Sequence, residues 1–206
     1  MSPQIASRSE DGREMAVLVW RFRSPMRCVS TAVLGGGIGS RGWIVNAQVP
    51  SGYGRPDPDR HLLAIARGLR LTGPGVGLMT AVDVRRHRTA TEGGVEVVAT
   101  VGLGIPILAA AAPDDAPVSE VGTINVIALV PERLSDAALV NAATTVAGAK
   151  VQAIQEAGIP ATGTPTDAVC VACPEIGTPQ PFGGPRSAWG APLARAVREA
   201  VLRGIG

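Results

Sequence analysis

Thr91-Glu92-Gly93-Gly94-Val95-Glu96-Val97-Val98 decides the fold class. Glu92-Gly93-Gly94 has the chemistry of a tight hairpin turn, because paired glycines take the positive φ values that other residues resist. The flanking segments, residues 76–87 and 95–102, are rich in Val and read as strands. Strands joined by so short a turn run antiparallel, which argues against a purely parallel, doubly wound sheet.

Working outward from this hairpin, residues 17–22 and 26–34 read as two strands joined by a turn at Ser24-Pro25, the second running into Gly35-Gly36-Gly37-Ile38-Gly39. Residues 43–49 read as a strand. A Pro/Gly/Asp-rich connection, 50–58, leads to a helix over 59–71, with Leu62, Leu63, Ile65, Ala66 and Leu69 at helical spacing and Asp59 as its cap. Beyond an acidic, Pro-rich loop at 113–121, residues 123–130 form a strand and 134–157 the longest helix, capped by Ser135 or Asp136 and ended by Gly158 and Pro160. A last helix spans 191–203. Residues 1–14 are polar and charged and are expected to form a disordered N-terminal tail, leaving 15–206 as a single domain. The expected fold is α+β: one layered domain of mixed, largely antiparallel sheet with about three helices.

Composition agrees. A chain of 206 residues can bury a substantial core, and with only 3% aromatics that core must be built from Val, Ala, Leu and Ile. The net charge of +2 arises from scattered basic residues without the clustering or stacking aromatics of a nucleic-acid interface. The longest apolar run, 101–112, is broken by Gly102, Gly104 and Pro106 and is too short to span a membrane. Three cysteines, Cys28, Cys170 and Cys173, with no leader before them, indicate a cytoplasmic protein. Cys170 and Cys173 have Cys-x-x-Cys spacing, but they lie in a Val/Ala strand without a second pair or a His cluster. They read as structural thiols, and no metal site is expected.

Function points first to residues 161–167, Ala-Thr-Gly-Thr-Pro-Thr-Asp, which run into the apolar strand Ala168-Val169-Cys170-Val171-Ala172-Cys173. Three hydroxyls and a carboxylate exceed what a turn needs to bond its own amides. A second cluster is Gly122-Thr123-Ile124-Asn125, where strand alternation puts Thr123 and Asn125 on one face. Asn125 can donate to an oxyanion, Thr123 can act as nucleophile or donor, and Lys150 or Asp167 can serve as charge partner or general base. The alternative for this strand is an edge with a solvated face. The glycines at 35–39 lack the following helix and the acidic residue of a dinucleotide fingerprint, and His61 and His87 read as structural or surface residues.

Six fragments in order extend these observations: Leu34-Gly35-Gly36-Gly37 with Val45-Asn46; Gly77-Leu78-Met79-Thr80-Ala81; Gly122-Thr123-Ile124-Asn125; Ala149-Lys150; Thr162-Gly163-Thr164 with Thr166-Asp167; and Gly183-Gly184-Pro185 before Gly190. Together they resemble the adenosylcobinamide amidohydrolases (the CbiZ family), from about residue 16 to the end. The resemblance implies hydrolysis of the amide that joins aminopropanol to the propionate arm of the corrin ring, releasing adenosylcobyric acid for cobalamin salvage. The partner it implies is a small-molecule corrinoid, with no protein-held cofactor because the substrate carries the cobalt. The catalytic set is expected to come from Asp167, Asn125, Lys150 and Thr123, with Gly35, Gly36, Gly37, Asn46, Thr80, Thr162, Thr164 and Thr166 binding substrate.

Two positions depart from the family pattern. Gly148 stands where the family usually carries Glu, and Pro165 where its loop usually has Gly. If the family Glu is the acid or base, Asp167 is the carboxylate left in the matched fragments to take its place. A corrinoid carrier without catalysis and a hydrolase of another amide are the alternative functions. The Gly35 loop, the Thr123 strand head and the 162–167 loop are expected to line one cleft.

Overall fold

The computed structural model describes residues 1–112 and 122–206, so the loop expected at 113–121 falls outside the described residues. Its strands are β1 (Gln4–Glu10), β2 (Arg13–Ser30), β3 (Gly37–Gln48), β4 (Gly75–Thr80), β5 (Arg88–Glu92), β6 (Val95–Gly102), β7 (Thr123–Leu129) and β8 (Ala168–Pro174). The helices are α1 (Pro58–Gly68), α2 (Asp136–Glu156) and α3 (Gly190–Ile205). The strands form one sheet in the order β4-β3-β2-β8-β7-β6-β5, with β1 pairing to β2. Only β3–β4 and β7–β8 are parallel, so the sheet is mixed and largely antiparallel, and the fold is a single α+β domain.

The hairpin turn holds, with Gly93 and Gly94 at φ 55° and 85°, but its first strand differs from the reading of 76–87. Residues 75–80 form β4 beside β3, a short 3-10 turn follows at Val84–Arg86, and only β5 pairs across the turn. Residues 17–22 and 26–34 are likewise not two strands with a turn between them. Residues 17–22 and 26–30 belong to one long β2, with 31–34 beyond its end, and its register to β3 shifts between Arg21 and Met26 around Pro25, a residue with no N–H for the ladder. Beyond this bend β2 changes partner: β1 lies along residues 13–19 and β8 along residues 26–30.

That β1 exists corrects the tail expectation. Seven residues, five of them polar, pair edge to edge with Arg13–Val19, and their main-chain bonds make up for the apolar burial that the sequence largely lacks there.

The bend folds the sheet over itself into four layers. Val17, Val19, Val45 and Ala47 face α1 through Leu62, Ile65 and Ala66. Their alternates Leu18, Trp20, Ile44, Val76 and Leu78 face inward, against Val98, Ile127 and Cys170 from the other half of the sheet. On that half, Val97, Ile124, Val126 and Val171 turn outward to α2 and α3. β7 is therefore a central strand buried on both faces, which replaces the solvated-edge alternative. Ser135 caps α2 by accepting from the Ala138 N–H, as expected, whereas α1 begins at Pro58 without a side-chain cap from Asp59. Among the described residues, no helix is long and apolar enough to cross a membrane.

Candidate functional site: two polar clusters at the head of β7

Two polar clusters meet where β7 begins, one on each face of the sheet. On the helical face, Lys150 of α2 reaches the Asp167 carboxylate at 2.5 Å, both side chains being 12% exposed. Asp167 also accepts from the Ile124 N–H at 2.8 Å, the Thr164 N–H at 3.1 Å and the Thr164 hydroxyl at 2.5 Å. Four donors on two oxygens saturate this carboxylate. It fastens the first amide of β7 and the 162–167 loop to α2. Gly163 belongs to the same knot, since a Cβ there would collide with Asp167 Oδ2 and Lys150 Nζ. Thr162 turns away from it, accepting from the Ala109 N–H at 2.8 Å and so tying the loop to residues 107–109.

The inter-sheet face carries the second cluster. Asn125, fully buried, donates both Nδ2 hydrogens, to Asn46 Oδ1 at 2.9 Å and to the Met79 carbonyl at 2.8 Å; Asn46 in turn donates to Thr100 Oγ1 at 3.0 Å. Asn125 Oδ1 has no hydrogen-bond partner among the described residues. With its donors committed to the protein, Asn125 in this arrangement holds three strands together and has no N–H left for an oxyanion. The expected constellation of Asn125 with Asp167 thus divides between opposite faces, because alternation along β7 turns Asn125 inward while Asp167 reaches outward to Lys150.

Thr123, Thr166 and Thr80 share one small cavity of about 160 Å³ with Val49, Pro50, Ser51, Tyr53, Met79 and Ala81. Thr123 Oγ1 lies 2.6 Å from Thr166 Oγ1, and Thr166 donates to the Gly122 carbonyl at 3.0 Å. That donation commits the Thr166 proton, so Thr123 donates to Thr166 and keeps its lone pairs. Thr164 is buried beside them, 2.8 Å from the Gly122 carbonyl, and buttresses the loop without lining the cavity.

Gly35, Gly36 and Gly37 lie elsewhere. Gly35, at φ 71°, is pressed against the Gly75 carbonyl at the start of β4, and Arg41 donates to the Gly35 carbonyl at 3.0 Å. Thr80 closes the other end of that strand, about 16 Å away at about 3.3 Å per residue. Gly35 therefore serves a close strand approach, the three glycines lie apart from the cavity, and only the Thr123 head and the 162–167 loop come together as expected.

Gly148, where the resemblance leads to the expectation of a Glu, is exposed, and a Cβ there would touch nothing within 4 Å. Two residues from Lys150 it sits about 200° around the helix, so the replacement removes no group from either cluster. The three cysteines are buried thiols, and Cys173 Sγ accepts from the Leu134 N–H at 3.3 Å. Ser51 and Tyr53 are cavity residues that a reading of 50–58 as a mere connection passes over. The available signal is that Tyr53 is the one tyrosine in the chain and stands between two glycines.

The adenosylcobinamide amidohydrolase family model matches residues 2–206. An adenosylcobinamide amidohydrolase from Methanosarcina mazei is 30% identical over 193 residues, 89% of this chain and 90% of that protein. One from Halobacterium salinarum is 39% identical over 130 residues, 60% of this chain and 55% of that longer protein. Among solved structures, the PH0078 protein from Pyrococcus horikoshii OT3 is 11% identical with a TM-score of 0.46, over 99% of this chain and 83% of that one. With a family match along almost its whole length, the chain belongs to the adenosylcobinamide amidohydrolase family.

Proposed function

We propose that the protein hydrolyses the amide between aminopropanol and the corrin propionate arm of adenosylcobinamide, giving adenosylcobyric acid in corrinoid salvage. The family match over residues 2–206 carries this reading. The cavity fits it, because Thr80, Thr123 and Thr166 offer three hydroxyls in a space sized for a short hydroxyl-bearing amide arm. Thr123, with its lone pairs uncommitted, is suited to accept from the aminopropanol hydroxyl or the amide N–H.

Asp167 and Lys150 serve this site by position. Their pair fixes the loop that presents Thr166 and the strand head that presents Thr123, as a rigid supporting shell does for a site built on loops. Acid/base work by Asp167, expected from the sequence, would need a carboxylate oxygen released from its four donors. The reaction consumes only water and exchanges protons; the cobalt arrives with the substrate. Gly148 gives no support to a carrier without catalysis, since its open position is remote from both clusters. Three buried thiols suit a reducing cytoplasm.

Incubation of the purified protein with adenosylcobinamide, followed by separation of corrinoids, tests the reading, and a parallel titration measures binding. Adenosylcobyric acid is the expected product. Binding without conversion would favour the carrier, and neither would remove both.

A further inference from the structure

Lys150 and Asp167 are committed to each other and to the loop, yet amide cleavage needs a carrier to take a proton from water and return one to the departing amine. A second titratable cluster lies on the other side of the small cavity. His61 of α1 is 6% exposed and holds its Nε2 3.0 Å from Glu10 Oε1, and its Nδ1 lies 3.0 Å from Tyr53 Oη. Glu10 is anchored by Arg8 Nη1 at 2.7 Å, and Arg8 donates to the Gln48 carbonyl at 2.7 Å. A carboxylate only accepts, so Nε2 carries the imidazole hydrogen, Nδ1 is the acceptor, and the Tyr53 hydroxyl donates to it. This is a hydroxyl–imidazole–carboxylate series with tyrosine in the hydroxyl place.

Position ties the series to the site. Tyr53 and Pro50 line both the 160 Å³ cavity with its threonines and a wider cleft of about 660 Å³ bordered by Glu10, Asp11, Arg13 and Arg55. The smaller cavity is below the roughly 300 Å³ at which clefts begin to hold whole ligands. A corrin ring must stay in the wider cleft with only its arm in the small one. Tyr53 stands at the junction, where the bond between ring-side carbonyl and aminopropanol would lie.

We propose, building on the hydrolase reading above, that Tyr53 is the catalytic proton carrier and that His61 and Glu10 are its positioning relay. Water adds its oxygen to the amide carbon and gives a proton to Tyr53 Oη as the Tyr53 proton passes to His61 Nδ1. The carbonyl π bond becomes the oxyanion. When the oxyanion re-forms the carbonyl, the C–N bond breaks and the proton returns from His61 through Tyr53 to the amine nitrogen. Glu10 stabilises the imidazolium that exists between these two steps. Burial raises the Tyr53 phenol and lowers the His61 imidazolium, so both start in the forms the relay uses. The charges facing the pair are Arg8 and Glu10 from β1 and Arg55 and Asp57 from the connecting loop.

Steady-state kinetics of Tyr53→Phe and His61→Gln against wild type test this, read as adenosylcobyric acid formed and as kcat across pH 5 to 8. Tyr53→Phe should lose about 10²–10⁴ in kcat with adenosylcobinamide affinity kept within a few-fold. Wild-type kcat should fall on the acid side as His61 protonates, and His61→Gln should lack that limb. A purely structural cluster would alter stability without moving the limb. An active wild type whose Tyr53→Phe turns over normally, or whose kcat has no acid limb, overturns the relay alone. The profile decides the matter even if a variant does not fold. A wild type that makes no adenosylcobyric acid overturns the hydrolase reading and the relay together.

Discussion

Asn125 and Asp167 stand one register step apart where β7 pairs with β8, yet their side chains leave the sheet in opposite directions. Asn125 ties together strands from the two facing halves of the sheet, and Asp167 ties the same strand head to α2. The threonines between them are held from both sides.

Breaking the outer tie should cost stability first. Asp167→Asn leaves the Lys150 ammonium, 12% exposed, without its counter-charge. Loss of one partner of a largely buried pair typically costs about 3 kcal/mol or more. Urea unfolding should show a loss of that order, and Lys150→Met in the Asp167→Asn background should recover part of it. A fully stable Asp167→Asn protein with turnover reduced about 10²-fold or more would instead return the acid/base work to Asp167.

Two glycines should respond in opposite ways. Gly148→Ala fills open space at an exposed mid-helix position and should stabilise by about 0.5–1 kcal/mol. Gly148→Glu should leave turnover within about two-fold, because the side chain would project away from Lys150. Gly163→Ala meets the Lys150–Asp167 pair and should destabilise by about 2 kcal/mol, within the range of overpacking. Thermal melts and one activity assay suffice for all three.

Much of this arrangement is legible in the sequence. The glycine pair announces the hairpin, helical spacing finds all three helices, and the fragments around Thr123 and Thr166 identify a real meeting point. What the sequence hides is the bend of β2, because Pro25 reads equally well as a turn between strands or as a bulge within one. Without that bend the fold-over of the sheet is invisible, and so is the division between Asn125 and Asp167. β1 is hidden for another reason: an edge strand held by main-chain bonds has no apolar pattern to betray it.

Stability should fall on mild acidification through His61. Burial holds its folded-state pKa below the ordinary value, outweighing the neighbouring Glu10. Below about pH 6.5 the unfolded chain therefore binds more protons than the folded one, and stability is lost as pH falls through that region. His61→Gln should flatten the dependence below about pH 6.5 in denaturant titrations. An unchanged slope would mean that another group carries it.

The thiols should be silent until unfolding. Cys28 and Cys170 share a hydrogen bond that, with burial, pushes the Cys28 thiol well above its ordinary range, and burial raises Cys173 too. Iodoacetamide at pH 8 should leave the native protein unmodified and add three groups after denaturation, one per cysteine in the sequence. Rapid native labelling of any of the three would contradict their placement.

The activity proposed for the protein is hydrolysis of one amide with water as the incoming group. Its most direct measurement is the mass of corrinoid released from adenosylcobinamide in ¹⁸O-labelled water. Adenosylcobyric acid carrying a single ¹⁸O in its new carboxylate, with free aminopropanol in equal amount, is the result predicted. Adenosylcobinamide recovered intact, with no aminopropanol released at any protein concentration, would contradict it.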